Sequence, residues 1–361
     1  MIKIIAEAGV NHNGSSELAF KLVDAAFSAG ADIVKFQTFN ASSLVTSSAK
    51  QAVYQTKNTG IIESQLEMLK RLELPKQTYL DLKKYCNGLG IEFLSTAFDS
   101  ESLKFLVEDL KLKTLKIPSG DITNTPFILE HALTGCDVIL STGMATLGEI
   151  EEALGALAFG YIGSSGIEPS RSAFAAAYVS EMGQHLLTEK VTILHCTTEY
   201  PAPKKEINLN AMTTLSNTFR LKTGYSDHSE GILVPIAAAA LGAKVIEKHF
   251  TLDKNLDGPD HKASLDLAEL TEMVTSIRTV ELALGSAVKA PQKSEIPNKS
   301  VARKSLVTAK KILSGQIINK DDVLIKRPGN GLLPSLFWNL IGSKASRDYE
   351  PDELYDLSEI K

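Results

Sequence analysis

Residues 225–228 read Tyr-Ser-Asp-His and residues 246–250 read Ile-Glu-Lys-His-Phe, with a Gly/Ala-rich helical run between them. His228 and His249 each follow a short apolar run, as a residue at the end of a β-strand does. In a parallel α/β protein, two neighbouring strand ends separated by one helix open into the same crevice. Two imidazoles held there form a candidate metal site with positions left for water or substrate. The alternative is that each histidine is an ordinary hydrogen-bonded residue.

The same pattern of apolar run, polar end and helical connection recurs along about 250 residues. Eight such runs favour a (β/α)8 TIM barrel, with a doubly wound open sheet as the alternative. In a barrel, every strand can contribute a side chain to one shared site at its carboxyl end, and nearly every run here ends in a polar group. The predicted strands are residues 2–6, 32–37, 91–95, 114–117, 137–140, 191–195, 221–224 and 244–246.

Helical periodicity fills most of the intervals between these strands, for example at residues 66–72 and 79–89. Two intervals are less regular. Residues 38–62 are rich in Ser, Thr, Gln and Lys and predict a long loop over the end of the second strand, where barrels carry lids. Residues 155–190 predict mainly helix, with a Gly/Ser/Pro break at residues 160–172.

Gly285, Pro291 and Pro297 interrupt the periodicity and indicate a domain boundary. Beyond them, short apolar runs alternate with turn signals, a texture unlike that of the barrel. A domain this small buries a modest core and would gain stability by docking on the barrel or on a second subunit. We therefore predict a barrel domain over residues 1–284, a linker over residues 285–300 and a small second domain over residues 301–361.

The composition of the 361 residues, 43% hydrophobic and 22% charged, is ordinary for a soluble globular enzyme. The net charge of −5 favours neither nucleic acid nor an anionic membrane surface as a partner. No apolar run approaches the ~20 residues of a membrane span, and the N-terminus lacks the apolar core of a signal peptide. The three cysteines have no close spacing, which argues against disulfides and against a thiolate zinc site. We expect a cytoplasmic protein.

Lys35 and Lys116 stand at predicted strand ends, where a buried ammonium needs an anion to offset its desolvation. Hydroxyl-rich loops follow at Ser119-Gly120 and at Ser141-Thr142-Gly143, and their hydroxyl and backbone donors suit anionic oxygens. Together these residues predict a site for a phosphate and a carboxylate. The alternative is that each lysine forms a structural pair with a glutamate.

His228 and His249 leave room for two imidazoles plus waters around a divalent ion, which suits Mn²⁺ or Mg²⁺ as a Lewis acid better than a closed zinc site. The other histidines are weaker candidates. We expect hydrogen bonding or packing for His12 and His195, and a surface position for His131 and His185 on helical segments.

Carboxylates stand at the same end of the predicted barrel. An acid or base role would require one of them to be desolvated, which is a property of the fold. Asp227, next to His228, is expected to orient that imidazole by contacting the ring and not the metal. The candidates are Glu7, Asp121, Asp227 and Asp260.

Seven motifs in collinear order resemble those of the sialic acid (nonulosonic acid) synthase family. The region from Arg303 through Gly331 is similar to that family's antifreeze-like (SAF) domain, which is small and β-rich. The motifs are residues 6–14 (AEAGVNHNG), 34–38 (VKFQT), 116–121 (KIPSGD), 141–144 (STGM), 195–201 (HCTTEYP), 225–228 (YSDH) and 247–250 (EKHF).

The resemblance implies a condensation of phosphoenolpyruvate with an N-acylated mannosamine-type sugar, giving a nonulosonic acid and phosphate. It implies a divalent metal, usually Mn²⁺ with Mg²⁺ or Co²⁺ as alternatives, held by His228 and His249. It also implies a domain-swapped homodimer in which Arg327 reaches the neighbouring subunit's barrel and contacts the N-acyl end of the sugar.

The resemblance assigns further residues to substrates. Lys35, Lys116, Ser119 and Ser141 would hold the phosphoenolpyruvate anions, and Glu7 would be a sugar-side carboxylate. Asp121 stands where the family usually has Glu, so its shorter arm weakens its assignment as the group that activates water. The remaining substrate contacts are Gln37, Thr198, Tyr200, Ser226 and Asp260.

Two departures bear on the choice of sugar. Neuraminate-making members have Asn where this chain has Thr198, and they tend to lack the sequence His-Lys-Ala-Ser-Leu at residues 261–265. Both departures resemble legionaminic acid synthases, whose substrate is 2,4-diacetamido-2,4,6-trideoxymannose. Loss of an amide side chain where a sugar hydroxyl is replaced is physically reasonable, because an unpaired buried amide is costly. Pseudaminic acid synthases match less well around residues 258–265.

Two other functions stay open on the sequence. The first is N-acetylneuraminate synthase, in which N-acetylmannosamine replaces the diacetamido sugar. The second is a non-catalytic barrel carrying a carbohydrate-binding SAF module, against which the retention of both lysines and both histidines argues.

Overall fold

A computed structural model describes residues 1–163 and 166–360. The chain divides into two compact units, Met1–Gly285 and Ser286–Lys361. Two residues of the predicted helical break at 160–172, Ser164 and Ser165, lie outside the described residues.

The first unit is a closed barrel of eight parallel strands, each hydrogen-bonded to the next, with the eighth paired to the first. Closure confirms the predicted (β/α)8 barrel, because an open sheet would leave two unpaired edges. The strands are β1 (Lys3–Gly9), β2 (Ile33–Thr38), β3 (Glu92–Ala97), β4 (Thr114–Ile117), β5 (Asp137–Ser141), β6 (Val191–Cys196), β7 (Lys222–Asp227) and β8 (Val245–His249).

The helices of this unit surround the barrel and bury their apolar faces on its outer surface. In the first of them Leu22, Val23 and Ala26 are buried, and the Ser15 hydroxyl accepts a hydrogen bond from the Leu18 N–H, so that it caps the helix as predicted. The helices are α1 (Ser16–Ser28), α2 (Ala41–Leu44), α3 (Val53–Thr59), α4 (Gln65–Leu72), α5 (Lys76–Leu89), α6 (Ser100–Glu108), α7 (Thr125–Leu133), α8 (Leu147–Ile162), α9 (Arg171–Val179), α10 (Glu181–Lys190), α11 (Asn210–Phe219), α12 (Leu233–Ala240) and α13 (Leu267–Leu284).

The side chains inside the barrel form two stacked layers. Side chains two residues apart on a strand point to the same face, so each interior residue has a neighbour one layer higher. The lower layer is an apolar cluster of Ile5, Ile33, Leu94, Ile139, Leu194 and Val245. The residues two positions further along the same strands are Glu7, Lys35, Thr96, Ser141, Cys196 and Glu247.

Two expectations from sequence are wrong. Residues 38–62 are not one long loop, because they contain α2, capped by the Asn40 side chain, and α3. His131 is not at the surface: it is fully buried on α7, its Nδ1 lies 2.8 Å from the Phe127 carbonyl oxygen, and its ring meets the Phe127 ring edge-on. His185, by contrast, is exposed on α10 as expected.

The second unit begins with a short helix, α14 (Ile296–Ala302), and then forms a two-stranded antiparallel sheet of β9 (Ser305–Thr308) and β10 (Val323–Lys326). Helix α15 (Phe337–Leu340) follows. A small core fills this unit, built on Leu306, Tyr349 and Tyr355. Single-turn 3₁₀ helices over both units lie at residues 119–121, 204–206, 261–263, 320–322, 334–336 and 357–359.

Among the described helices, none combines the length and the apolar character that a membrane crossing requires.

Candidate active site

A cavity of about 400 Å³ opens at the carboxyl ends of the barrel strands. This is the end at which TIM barrels build their sites. The structure brings thirteen of the fourteen predicted site residues to its wall; the fourteenth, Arg327, lies in the second unit. The thirteen are Glu7, Lys35, Gln37, Lys116, Ser119, Asp121, Ser141, Thr198, Tyr200, Ser226, His228, His249 and Asp260.

A buried ionic cluster forms the floor of the cavity. Lys35 Nζ lies 2.8 Å from Glu7 Oε2 and 3.5 Å from Glu247 Oε2, and Lys116 Nζ lies 3.6 Å from Glu247 Oε1. Lys116 also donates to Ser141 Oγ at 2.7 Å. Each lysine therefore has a glutamate partner and also lines the cavity.

Glu247 is the central residue that sequence reasoning missed. Its carboxylate lies between the two lysines and accepts a hydrogen bond from Ser226 Oγ at 2.9 Å. The signal was present in the strand alternation, because Glu247 stands two residues after Val245 of the lower layer and two residues before His249.

Burial and neighbouring charge give the two glutamates opposite acidities. Burial raises the pKa of Glu7 to about 7, against the opposing effect of Lys35. Burial also opposes ionisation of Glu247, but Lys116 and Lys35 outweigh it and hold the Glu247 pKa below its usual range. Glu7 can therefore exchange a proton near neutral pH, whereas Glu247 stays charged and balances the lysines.

His228 and His249 lie together on one side of this floor, with ring centroids 5.6 Å apart. Tyr200 packs against both rings, 4.1 Å from the first and 5.6 Å from the second. Burial lowers the pKa of His228 to about 4 and that of His249 well below its usual range. Both imidazoles are therefore neutral near pH 7, as metal coordination requires.

The hydrogen bonds of His228 fit a metal ligand. Its Nδ1 lies 2.6 Å from the Thr197 carbonyl oxygen, so Nδ1 carries the proton and Nε2 keeps a lone pair. That Nε2 faces the cavity side chains, 3.2 Å from Tyr200 Oη and 3.5 Å from Ser226 Oγ. His249 Nδ1 is buried and has no hydrogen-bond partner among the residues that the structure describes.

These two neutral imidazoles fit a divalent cation that takes its other ligands from water or substrate. Across the residues that the structure describes, no group of three or more His, Cys, Asp or Glu side chains is placed to hold a metal ion. His228 and His249 could supply two of the ligands of such an ion.

Asp227 makes no hydrogen bond to the His228 imidazole, contrary to the prediction. Its side chain accepts hydrogen bonds from Tyr225 Oη, from Ser229 and from Lys248 Nζ. The reason is strand alternation: Ser226 lines the cavity, so the next residue on β7 points away from it. The Thr197 carbonyl takes the place that we had assigned to Asp227.

Close packing brings the hydroxyl-rich loops that follow β4 and β5 together beside the floor. The Gly143 N–H donates to Ser119 Oγ at 3.0 Å, and a Cβ at Gly143 would lie 2.3 Å from Thr198 Oγ1. Only glycine fits at this position. Within the described part of the chain, Thr198 Oγ1 is itself buried without a hydrogen-bond partner.

The opposite wall of the cavity comes largely from residues 39–72, and sequence reasoning missed its contribution. The Tyr54 ring lies 5.0 Å from that of Tyr200. Asp260 is buried nearby, and burial raises its pKa to about 6. The apolar side chains of this wall are Val10, Phe39, Leu44, Val45, Met68, Leu69 and Leu72.

Comparison with known protein families identifies the family to which this barrel belongs. Residues 22–289 match the model of the NeuB family. The chain belongs to the NeuB family. The resemblance seen in the sequence motifs is thereby confirmed over the barrel.

Individual NeuB-family relatives align over nearly the whole chain. The N,N'-diacetyllegionaminic acid synthase of Campylobacter jejuni is 47% identical, over 97% of this chain and 98% of its own length. The enzyme of the same name from Legionella pneumophila is 45% identical, over 95% of this chain and 90% of its own. A solved structure, the N-acetylneuraminic acid synthetase of Leptospira borgpetersenii in complex with citrate, is 32% identical with a TM-score of 0.65, covering 82% of this chain and 90% of that one.

Proposed function

We propose that this NeuB-family protein condenses phosphoenolpyruvate with 2,4-diacetamido-2,4,6-trideoxymannose and water, giving N,N'-diacetyllegionaminate and phosphate. The names of the two relatives that are 47% and 45% identical support this choice of sugar. In the reaction, the alkene carbon of phosphoenolpyruvate attacks the sugar aldehyde, water adds to the neighbouring carbon, and phosphate leaves by C–O cleavage.

One observation carries the proposal: two buried lysines and two neutral histidines face a single cavity. Phosphoenolpyruvate has a phosphate and a carboxylate, and the lysines with Ser119 and Ser141 offer ammonium and hydroxyl donors to both. Because these groups lie in a site of low dielectric constant, they bind an anion more strongly than they would in water.

His228 and His249 are the proposed ligands of a divalent cation, Mn²⁺ in this proposal, with Mg²⁺ or Co²⁺ as alternatives. When bound, the cation would polarise the aldehyde oxygen of the open-chain sugar. Tyr200 packs against both imidazoles and would help to shield a bound cation from bulk water.

The acidic residues are proposed to handle protons and sugar hydroxyls. Glu7, whose pKa is raised to about 7, accepts a hydrogen bond from Gln37 Nε2 at 3.3 Å and is the candidate for contacting the sugar. Asp121 is half-buried, burial raises its pKa, and it is the candidate for activating the attacking water. Asp260, with its pKa about 6, is the candidate for binding a sugar hydroxyl.

The apolar wall supports a deoxygenated sugar over N-acetylmannosamine. A 6-deoxy sugar presents a methyl group where N-acetylmannosamine has a hydroxyl, and a second acetamido group adds another methyl. Side chains such as Met68, Leu69 and Leu72 can bury methyl groups favourably but cannot pair a hydroxyl. Thr198, in place of an amide, is consistent with the same choice.

Other parts of the proposal concern assembly. We propose that residues 301–361 form an SAF domain joined by the linker 285–300 to the barrel domain 1–284. Arg327 in this domain would complete a partner's site in a domain-swapped homodimer. Its Nε donates to the Ala302 carbonyl, and the rest of its exposed side chain is available for an N-acyl group. A cytoplasmic location is consistent with this biosynthetic role.

The test is phosphate release from phosphoenolpyruvate with Mn²⁺ and each candidate sugar. We expect turnover with the diacetamido sugar to exceed turnover with N-acetylmannosamine. Faster turnover of N-acetylmannosamine would replace the proposal by an N-acetylneuraminate synthase, and no release with any sugar would favour a non-catalytic barrel. His228→Ala and His249→Ala should each abolish release while circular dichroism shows a retained fold; unchanged activity would remove the metal role.

A further inference from the structure

A fully buried ion pair joins the carboxyl ends of β7 and β8 outside the cavity. Lys248 Nζ lies 2.6 Å from Asp227 Oδ2, and both side chains are completely inaccessible to solvent. The two residues are also direct partners in the register of the two strands. Because strand side chains alternate, both point away from the cavity that Ser226 and Glu247 line. We call these two residues the 227–248 pair.

The 227–248 pair is completed by hydrogen bonds on either side. Asp227 Oδ1 accepts from Tyr225 Oη at 3.0 Å and from the Ser229 N–H at 3.0 Å, and Oδ2 accepts from Ser229 Oγ at 3.0 Å. Lys248 Nζ also donates to the Ser229 carbonyl oxygen. The carboxylate, which belongs to the residue immediately before His228, therefore holds the backbone N–H of the residue immediately after it.

Each member of the pair directly precedes a histidine of the candidate metal site: Asp227 precedes His228, and Lys248 precedes His249. The two backbone segments that carry the imidazoles are thus linked to each other by the short, directional ion pair between Asp227 and Lys248. A site with two protein ligands has no third side chain to correct an error in their spacing. The distance between the two rings must then be set by the strands beneath them.

We infer that the 227–248 pair consists of positioning residues, which fix the separation of the His228 and His249 imidazoles for cation binding. This inference rests on the proposed two-histidine metal site. Stability alone is a poor reason for such a pair, because apolar side chains of similar volume commonly replace a buried ion pair without loss. Directional geometry is what an apolar replacement cannot supply.

The experiment compares Mn²⁺ binding by full-length variants, measured from the electron paramagnetic resonance signal of free Mn²⁺. The main variant is the double substitution Asp227→Leu with Lys248→Met, which removes both charges together. We expect it to fold with a lowered thermal midpoint, because Tyr225 Oη and Ser229 lose their partners, and to bind Mn²⁺ about 10–100-fold more weakly. Binding of phosphoenolpyruvate without metal should be unchanged, since the floor lysines are untouched.

Asp227→Asn covers the case in which the double variant does not fold. It keeps the size of the side chain and weakens the contact to Lys248, so it should also weaken Mn²⁺ binding. The matched control is Asp32→Asn, which disrupts the ion pair to Arg278 at 2.7 Å, at the opposite end of the barrel. That control should change the thermal midpoint and leave the Mn²⁺ dissociation constant as in the wild type.

The outcomes separate this inference from the proposed metal site. If a folded 227–248 variant binds Mn²⁺ as tightly as the wild type, the pair is merely structural and the inference is overturned. If His228→Ala also binds Mn²⁺ like the wild type, the two-histidine site itself is wrong. Weakened binding in the pair variants and in His228→Ala, with none in Asp32→Asn, supports both.

Discussion

The two interior layers of the barrel come from the same strands. The upper layer stands two residues further along each strand than the lower one, and it is polar and charged where the lower layer is apolar. The lower layer is a cluster of Ile, Leu and Val side chains. The layer above it carries Glu7, Lys35 and Glu247 on β1, β2 and β8, with 2–5% exposure of their side chains. The two layers are buried to nearly the same extent, so burial alone does not explain why only the upper one is charged.

This difference between the layers shows how a barrel can accommodate charged side chains in its interior. The lower layer gains stability from burial and needs no partner. The upper layer contains isolated charges that would each be costly, and it offsets them only because two lysines face two glutamates around one centre. The predictions below test this division of labour, from the largest expected effect to the smallest.

Removing one cation from the upper layer should have the largest effect. Lys35→Met should lower the rate of phosphate release by roughly 10²–10³-fold, because an ammonium donor to the phosphoenolpyruvate anions is lost. Steady-state assay of phosphate release measures this. The control on the same strand is Ile33→Val, two residues lower, which should keep nearly full activity; an equal loss in both variants would contradict the division between layers.

Removing the central anion should mainly affect stability. Glu247→Gln leaves Lys35 and Lys116 with one fewer counter-charge, and we expect a loss of about 3 kcal/mol in the free energy of unfolding. Urea denaturation measures the change. Saturating inorganic phosphate should restore more stability to the variant than it adds to the wild type, since the phosphate supplies the missing negative charge. Equal effects of phosphate on both proteins would count against an anion site at the lysines.

Glu7 should give the upper layer a pH response that the lower layer lacks. Its pKa in the folded state, about 7, lies above the ordinary value of 4.5, so the folded state keeps a proton that the unfolded chain has lost. Its contribution to stability is full below about pH 4.5 and is lost as pH rises to about 7, a change of about 3 kcal/mol.

Glu7→Gln should remove this fall. The measurement is the difference in free energy of unfolding between variant and wild type at pH 5 and pH 8. Glu92→Gln, at the exposed first position of β3, is the control. Its difference from the wild type in the free energy of unfolding should be the same at pH 5 and pH 8. A variant curve parallel to that of the wild type would show that Glu7 titrates normally.

The smallest effect belongs to the lower layer. Ile139→Val removes one methyl group from the apolar cluster and should cost about 1 kcal/mol, through lost burial and a small cavity. Urea denaturation and the phosphate assay together check that stability falls while kcat and KM do not. A clear loss of activity would mean that the lower layer also sets the geometry of the site.

Most of the fold was predictable because its signal is local. The apolar run at 114–117 coincides with β4, and all eight predicted strands exist. The runs at 221–224 and 244–246 ended too early, because β7 and β8 continue through polar residues to Asp227 and His249. Those polar residues are part of the strands only because the barrel pairs them.

The site was predictable where a residue type is unusual for its position, and not where its partner decides. Lysines and histidines at the ends of apolar runs identified Lys35, Lys116, His228 and His249. Glu247 was passed over, because a glutamate in a strand is unremarkable until two lysines are found beside it. The apolar wall from residues 39–72 was hidden for a related reason, since short helices in a polar segment reveal their buried face only after packing.

By itself the sequence determined the barrel and the residue types at its carboxyl end, because strand and helix periodicities are local properties of the chain. The tertiary structure alone decided which charges meet, which histidine nitrogen keeps its lone pair, and that Asp227 pairs with Lys248. These depend on side chains that are distant in sequence and brought within about 3 Å, and on the burial that shifts their pKa values.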